Sequence, residues 1–163
     1  MSYLSVTYSG GVDNAPPKDG FVPYSGVTSY KEGTRTLFTS LSDSSGIDTT
    51  ASGAPHLHIS LNNQSYTAIN ATTIGTCSTD CKFRATTPEL SHGDYVKYYW
   101  AYQDAYSTPN MATNPTGGTG TPSTASAPST TYWFQVEDPS NAGTEMKFTV
   151  SATDVNSYSG SST

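Results

Sequence analysis

The amino-acid sequence predicts an all-β protein, a sandwich of about seven strands that follows an extended N-terminal strand and a linker. Three observations lead to this prediction. Short stretches of alternating apolar and polar residues recur along the chain, which is the period of a half-buried strand. Clusters of Gly, Pro, Asn and Asp separate these stretches, as turns do. No stretch shows the apolar period of an amphipathic helix.

The longest aromatic and β-branched run lies between Gly93 and Asp104. One face of this strand would carry Val96, Tyr98, Trp100 and Tyr102, and the other Tyr95, Lys97 and Tyr99. The first set predicts a core face and the second a solvent face. We therefore expect this strand to be the central one of the sandwich.

The N-terminal residues 1–32 are predicted to be a strand and a linker. Residues 2–9 alternate, so that Leu4, Val6 and Tyr8 share one face. Gly- and Pro-rich residues then follow as a linker. Within residues 21–32 the chain is expected to be extended, and Pro23 would limit that segment to a sheet edge.

The compact domain is predicted to span residues 33–151, with a long loop at 105–131 and a tail at 152–163. The loop is rich in Pro, Gly, Ser and Thr, which excludes a helix there. Further strands are predicted at residues 35–41, 56–61, 66–69, 82–85, 132–136 and 145–151. Their predicted inward residues include Leu37, Leu41, Leu57, Ile59, Phe134, Val136, Met146, Phe148 and Val150.

Composition and charge exclude some partners. The formal net charge is −6, and the seven Lys and Arg form no basic stripe, so nucleic acid is not expected to bind. No apolar run approaches the roughly 20 residues of a membrane span, and the first residues lack a secretion-signal pattern. A Ser-, Thr- and Tyr-rich, Lys-poor composition is typical of secreted β-proteins. An extracellular location is therefore expected.

The two cysteines, Cys77 and Cys81, are separated by three residues. This is not the spacing of a zinc knuckle, and no second pair of cysteines exists. The spacing favours a disulfide that closes a small loop, which would imply an oxidising compartment. The alternative is two free buried thiols in a cytosolic protein.

The order of motifs resembles an immunoglobulin-like or fibronectin-III-like module of bacterial and archaeal secreted and surface proteins. The similarity lies in Asp-x-x-Gly-Ile-Asp at 43–48, Leu-x-Ile-x-Leu at 57–61, Gly-Asp-x-Val-x-Tyr-Tyr-x-Ala-x-x-Asp at 93–104, and the segments 112–115 and 132–136. It covers roughly residues 33–137. This resemblance implies an Ig-like β-sandwich and leaves the function open. The loop after Asp104 is longer than such a module needs.

Candidate chemistry is sparse in this sequence. His56 and His58 point the same way from one strand and are expected to face solvent, with a metal site as the alternative. Asp43 and Asp48 flank a turn and could instead hold calcium. No Gly-x-Ser-x-Gly motif or pair of catalytic carboxylates stands out. We therefore expect neither an enzyme nor a bound cofactor or metal.

Two surface features suggest binding or modification. Tyr99 and Trp133 are predicted on the outward faces of neighbouring strands, where a flat aromatic pair could stack on sugar rings. A packing ledge under the long loop or a neighbour is the alternative. Asn63 and Asn70 begin Asn-x-Ser/Thr sequons and are possible glycosylation sites.

The detached N-terminal strand suggests a structural role. A strand separated from its domain by a Gly/Pro-rich linker can fold back or can join the sheet of a neighbouring subunit. In this respect the chain resembles donor-strand, pilus-like filament subunits. The leading hypothesis is that Leu4, Val6 and Tyr8 insert into the next identical subunit, head to tail, in an extracellular filament. A carbohydrate-binding or adhesion module is the alternative.

Overall fold

The computed structural model describes residues 12–138 and residue 140. This part of the chain forms an all-β sandwich of two sheets. The strands are β1 (Lys18–Asp19), β2 (Val27–Ser29), β3 (Thr36–Ser42), β4 (His56–Leu61), β5 (Thr67–Asn70), β6 (Thr72–Ile74), β7 (Asp80–Thr86), β8 (Tyr95–Gln103), β9 (Met111–Asn114) and β10 (Tyr132–Val136). A short 3-10 helix covers Pro122–Thr124.

One sheet has four strands in the order β1-β3-β7-β6, and the other has the order β2-β10-β8-β4-β5 with β9 beside β8. Strand β8 is central, as predicted. Strand β4 pairs along one edge of β8, while β10 pairs with its first half and β9 with its second half on the opposite edge. All these pairings are antiparallel, whereas β2 runs parallel to β10.

The core lies between the two sheets. From β8 it takes Val96, Tyr98, Trp100 and Tyr102, which are at most 3% exposed and confirm the predicted core face. The facing sheet contributes Leu37, Leu41 and Phe83, and the neighbours of β8 contribute Leu57, Ile59, Phe134 and Val136. Each of these side chains alternates with a more exposed neighbour on its own strand, except on β4 and in the second half of β8.

Two differences from the prediction concern short strands. The segment predicted as linker contributes β1 and β2 to the two sheets, so the boundary placed at Gly33 does not separate it from the sandwich. Strand β2 lies at a sheet edge, as expected for a segment that contains Pro23. Strand β9 lies within the predicted loop 105–131. These strands have only two to four residues, which is too short for an alternating pattern to identify them in the sequence.

Three predictions fall outside the described residues. They are the N-terminal strand with Leu4, Val6 and Tyr8, the strand at 145–151 with Met146, Phe148 and Val150, and the tail at 152–163.

Candidate functional site

The outward face of β4 and of the second half of β8 is covered rather than open to solvent. Tyr99 is 1% exposed, His56 4% and His58 3%. The predictions of solvent-facing histidines and of an exposed Tyr99 are therefore wrong. The long loop folds over this face and places Ala125, itself 7% exposed, against Tyr99.

Specific hydrogen bonds and ring contacts hold this loop in place. The Tyr99 hydroxyl donates to the Ala125 carbonyl oxygen at 2.6 Å, and His58 Nε2 lies 2.7 Å from the Pro122 carbonyl oxygen. The His58 and Tyr99 rings stack with centroids 4.6 Å apart and planes 7° apart. Tyr66 adds an edge contact to Tyr99 at 5.1 Å. We call this group of residues under the loop, His58, Tyr66, Tyr99 and Ala125, the loop clasp.

Burial sets the protonation states inside the loop clasp. It raises the pKa of Tyr99 to about 12, with a smaller contribution from Tyr66. It lowers the pKa of His58, and the nearby His56 lowers it further, against the opposing effect of the bond to Pro122. At neutral pH His58 is therefore an uncharged imidazole whose Nε2–H donates to the Pro122 carbonyl. His56 Nδ1 lies 2.6 Å from the Ala54 carbonyl oxygen.

One signal in the sequence could have indicated the covered face. The loop residues Pro122, Ala125 and Pro128 are buried and recur at every third position among exposed Ser and Thr. A loop with a regular series of small apolar residues has a surface to pack on. The alternation of β8 alone could not reveal this, because it separates two faces without saying what covers each of them.

Trp133 stays at the surface, but its aromatic neighbour is not Tyr99. It is 38% exposed and lies 5.7 Å from Tyr95, with the two rings tilted by 35°. Lys97 places Nζ 5.7 Å from the centroid of the Tyr95 ring. Tyr95, Lys97 and Trp133 form what we call the aromatic patch, on the outward side of β8 and β10.

Three carboxylates converge at the end of β3. Asp13, Asp43 and Asp104 each place a ligand atom within 4.8 Å of the others. Burial, together with the charges of Asp13 and Asp104, raises the pKa of Asp43. Asp48, which with Asp43 was the alternative calcium site, is not part of this group, and its carboxylate accepts bonds from Thr50 and Gln103.

Asp104, the innermost of the three carboxylates, has a structural task. It is 0% exposed, and its oxygens accept bonds from the backbone N–H groups of Tyr106 and Asn110 and from the Asn110 side-chain amide. The Asn110 amide also donates to the Asp13 carbonyl oxygen at 3.1 Å. Asp104 therefore positions the segment beyond β8 that contains Tyr106 and Asn110. Asn110 in turn positions Asp13.

The predicted disulfide is present between Cys77 and Cys81, whose Cα atoms are 4.7 Å apart. Cys81 lies at the start of β7 and is 2% exposed, so the bridge ties the preceding loop to the core. Asn63 and Asn70 are both exposed, Asn63 in the turn after β4 and Asn70 at the end of β5. Their positions leave both sequons accessible, and glycosylation stays a prediction.

Among the residues that the structure describes, one edge of β3 is incompletely paired. Its seven residues all pair with β7, but on the other side β1 pairs only at Ser42 and Leu41, and Gly20 N–H donates to the Ser40 carbonyl oxygen. Beyond Ser40 this edge borders a groove of about 500 Å³. The groove is lined by Phe21, Val22, Tyr24, Lys31, Thr34, Arg35, Thr36, Leu37 and Phe38. We call this edge with its groove the β3 notch.

Comparison of the chain with protein-family models, with curated proteins and with solved structures gave no match. Among the described residues no helix has the length and apolar character needed to cross a membrane.

Proposed function

We propose that the protein is a structural subunit of an extracellular filament that polymerises head to tail through its N-terminal strand. One observation carries the proposal. Within the described part of the chain, the edge of β3 beyond Ser40 has no partner strand, so this sheet can accept another strand. The alternating, uncharged segment 2–9 has the pattern of such a strand and could extend the sheet of an identical neighbour.

The strand order supports the Ig-like part of the proposal. The order β1-β3-β7-β6 corresponds to the A-B-E-D sheet of an Ig domain, and β10-β8-β4-β5 corresponds to G-F-C-C′. In this assignment β1 and β2 are two pieces of the first strand, which crosses from one sheet to the other. The disulfide supports an oxidising, extracellular location.

Deletion of residues 1–12 tests this proposal. Full-length protein is expected to form filaments in negative-stain electron microscopy, whereas the truncated protein stays a monomer in light scattering. Removal of the 12 tail residues 152–163 is the matched control, since it shortens the chain equally at the other end. Circular dichroism checks that each variant is folded. Filaments of the truncated protein would contradict the proposal.

The aromatic patch favours a second candidate, a carbohydrate-binding module. Trp133 is the exposed ring of the patch, and Lys97 beside Tyr95 offers a hydrogen-bond donor to sugar hydroxyls. Trp133→Ala should weaken retardation by soluble polysaccharides in native affinity gels about tenfold. Ile74→Ala is the control, since Ile74 is an equally exposed apolar residue of the other sheet and does not line the β3 notch. Equal retardation of wild type and both variants would exclude the patch as a sugar site.

A further inference from the structure

We infer that the β3 notch accepts residues 2–9 of a second copy of this chain, an inference that rests on the filament subunit proposed above. The first argument concerns the backbone. In an antiparallel ladder alternate residues direct their N–H and C=O groups to opposite edges. Since Ser40 accepts from Gly20 on the outer edge, Phe38 and Thr36 direct their groups there as well. Among the described residues neither has a hydrogen-bond partner for these groups, so a strand can be added here.

The chemistry of the notch matches the N-terminal segment. Val22 is 86% exposed, Phe38 51% and Tyr24 37%, which leaves a cluster of apolar surface beside unpaired backbone. Tyr24 packs on Phe134 with ring centroids 5.2 Å apart, so the groove continues into the core. Residues 2–9 contain no charge and no proline. A strand of this segment would place Leu4, Val6 and Tyr8 toward Tyr24 and Leu37, and Ser5 and Thr7 on the solvent side beside Thr36 and Phe38.

The path of the described chain favours the N-terminal strand of a second copy, rather than the molecule's own, as the occupant of the β3 notch. Asp13 is held at the opposite end of β3, by the Asn110 amide and by Ser45. From there the chain passes Ser42 and runs along the β3 edge to Gly20. Residues 18–20 therefore occupy the edge between residue 13 and the notch, which begins at Phe38, about 13 Å from the Ser42 end of β3. An N-terminal strand from another copy approaches the notch without crossing this segment.

Cysteine crosslinking in the full-length protein tests the site. Ser5→Cys is combined with Thr36→Cys, an exposed position of the notch, and treated with a short bismaleimide during assembly. The native cysteines are joined in the disulfide and offer no free thiol. The control combines Ser5→Cys with Thr67→Cys, an exposed threonine of the edge strand β5 in the other sheet. The expected result is a ladder of crosslinked multimers for the notch pair and only background for the control pair.

Other outcomes separate this inference from the filament proposal. If filaments form but crosslinked multimers appear only with the Thr67 pair, or with neither pair, the β3 notch is not the site that accepts the strand. The filament proposal is unaffected by that result. A crosslink within one chain at the notch overturns the second copy as occupant. Wild-type protein that stays monomeric at all concentrations overturns both.

Discussion

Replacement of Trp100 by Ala is expected to lower the free energy of unfolding by about 3–5 kcal/mol. Trp100 is 0% exposed and lies at the middle of β8, opposite Leu57 on β4 and Asn114 on β9. Its loss would leave a large cavity in the core between the sheets and remove the apolar contacts that Trp100 makes there. Urea unfolding followed by far-UV circular dichroism measures the change.

The second tryptophan of the chain provides the matched control. Trp133 is 38% exposed, so Trp133→Ala should cost less than about 1 kcal/mol. Trp100→Phe should fall between the two, because it keeps a ring, and the indole Nε1 of Trp100 has no hydrogen-bond partner among the described residues. Equal losses for Trp100→Ala and Trp133→Ala would show that β8 is not the centre of the core.

The alternation of β8 predicted its core face because a strand has only two sides, and four large residues occupy one of them. The same logic found Leu37 and Leu41 on β3, and both are buried. Alternation could not show that Tyr99 is covered, since the cover comes from a loop about 25 residues later in the chain. The strands β1 and β2 were not predicted as separate strands because two or three residues are too few to show an alternating pattern.

The candidate sites depend on contacts between residues that are distant in sequence. Asp13, Asp43 and Asp104 meet only because β1 follows the edge of β3 and the end of β8 lies beside it. Trp133 lies beside Tyr95 because β10 pairs with the first half of β8, a register that fixes Trp133 opposite Lys97. Sequence reasoning located Trp133 at the surface but chose the wrong partner along β8. A single residue pattern does not contain the register between two strands.

The loop clasp carries the second large prediction. His58→Ala is expected to destabilise the protein by about 2 kcal/mol at pH 7, through loss of the stack on Tyr99 and of the bond to the Pro122 carbonyl. His58→Phe should recover about half of this, because it keeps the stack and loses only the bond. The same urea titration measures both variants.

The effect of pH distinguishes His58 from a residue that only fills space. Because burial lowers its pKa in the folded state, the unfolded chain takes up the proton first as the pH falls. The stabilisation is therefore complete above about pH 6.5 and is lost as the pH falls from there through the lowered pKa. Wild type should lose more stability than His58→Phe between pH 7 and pH 5, because the two proteins share all their other titratable groups. If the free energy of unfolding falls equally with pH in both proteins, protonation of His58 does not destabilise the folded state. The loop would then be held by the Tyr99 hydroxyl and packing alone.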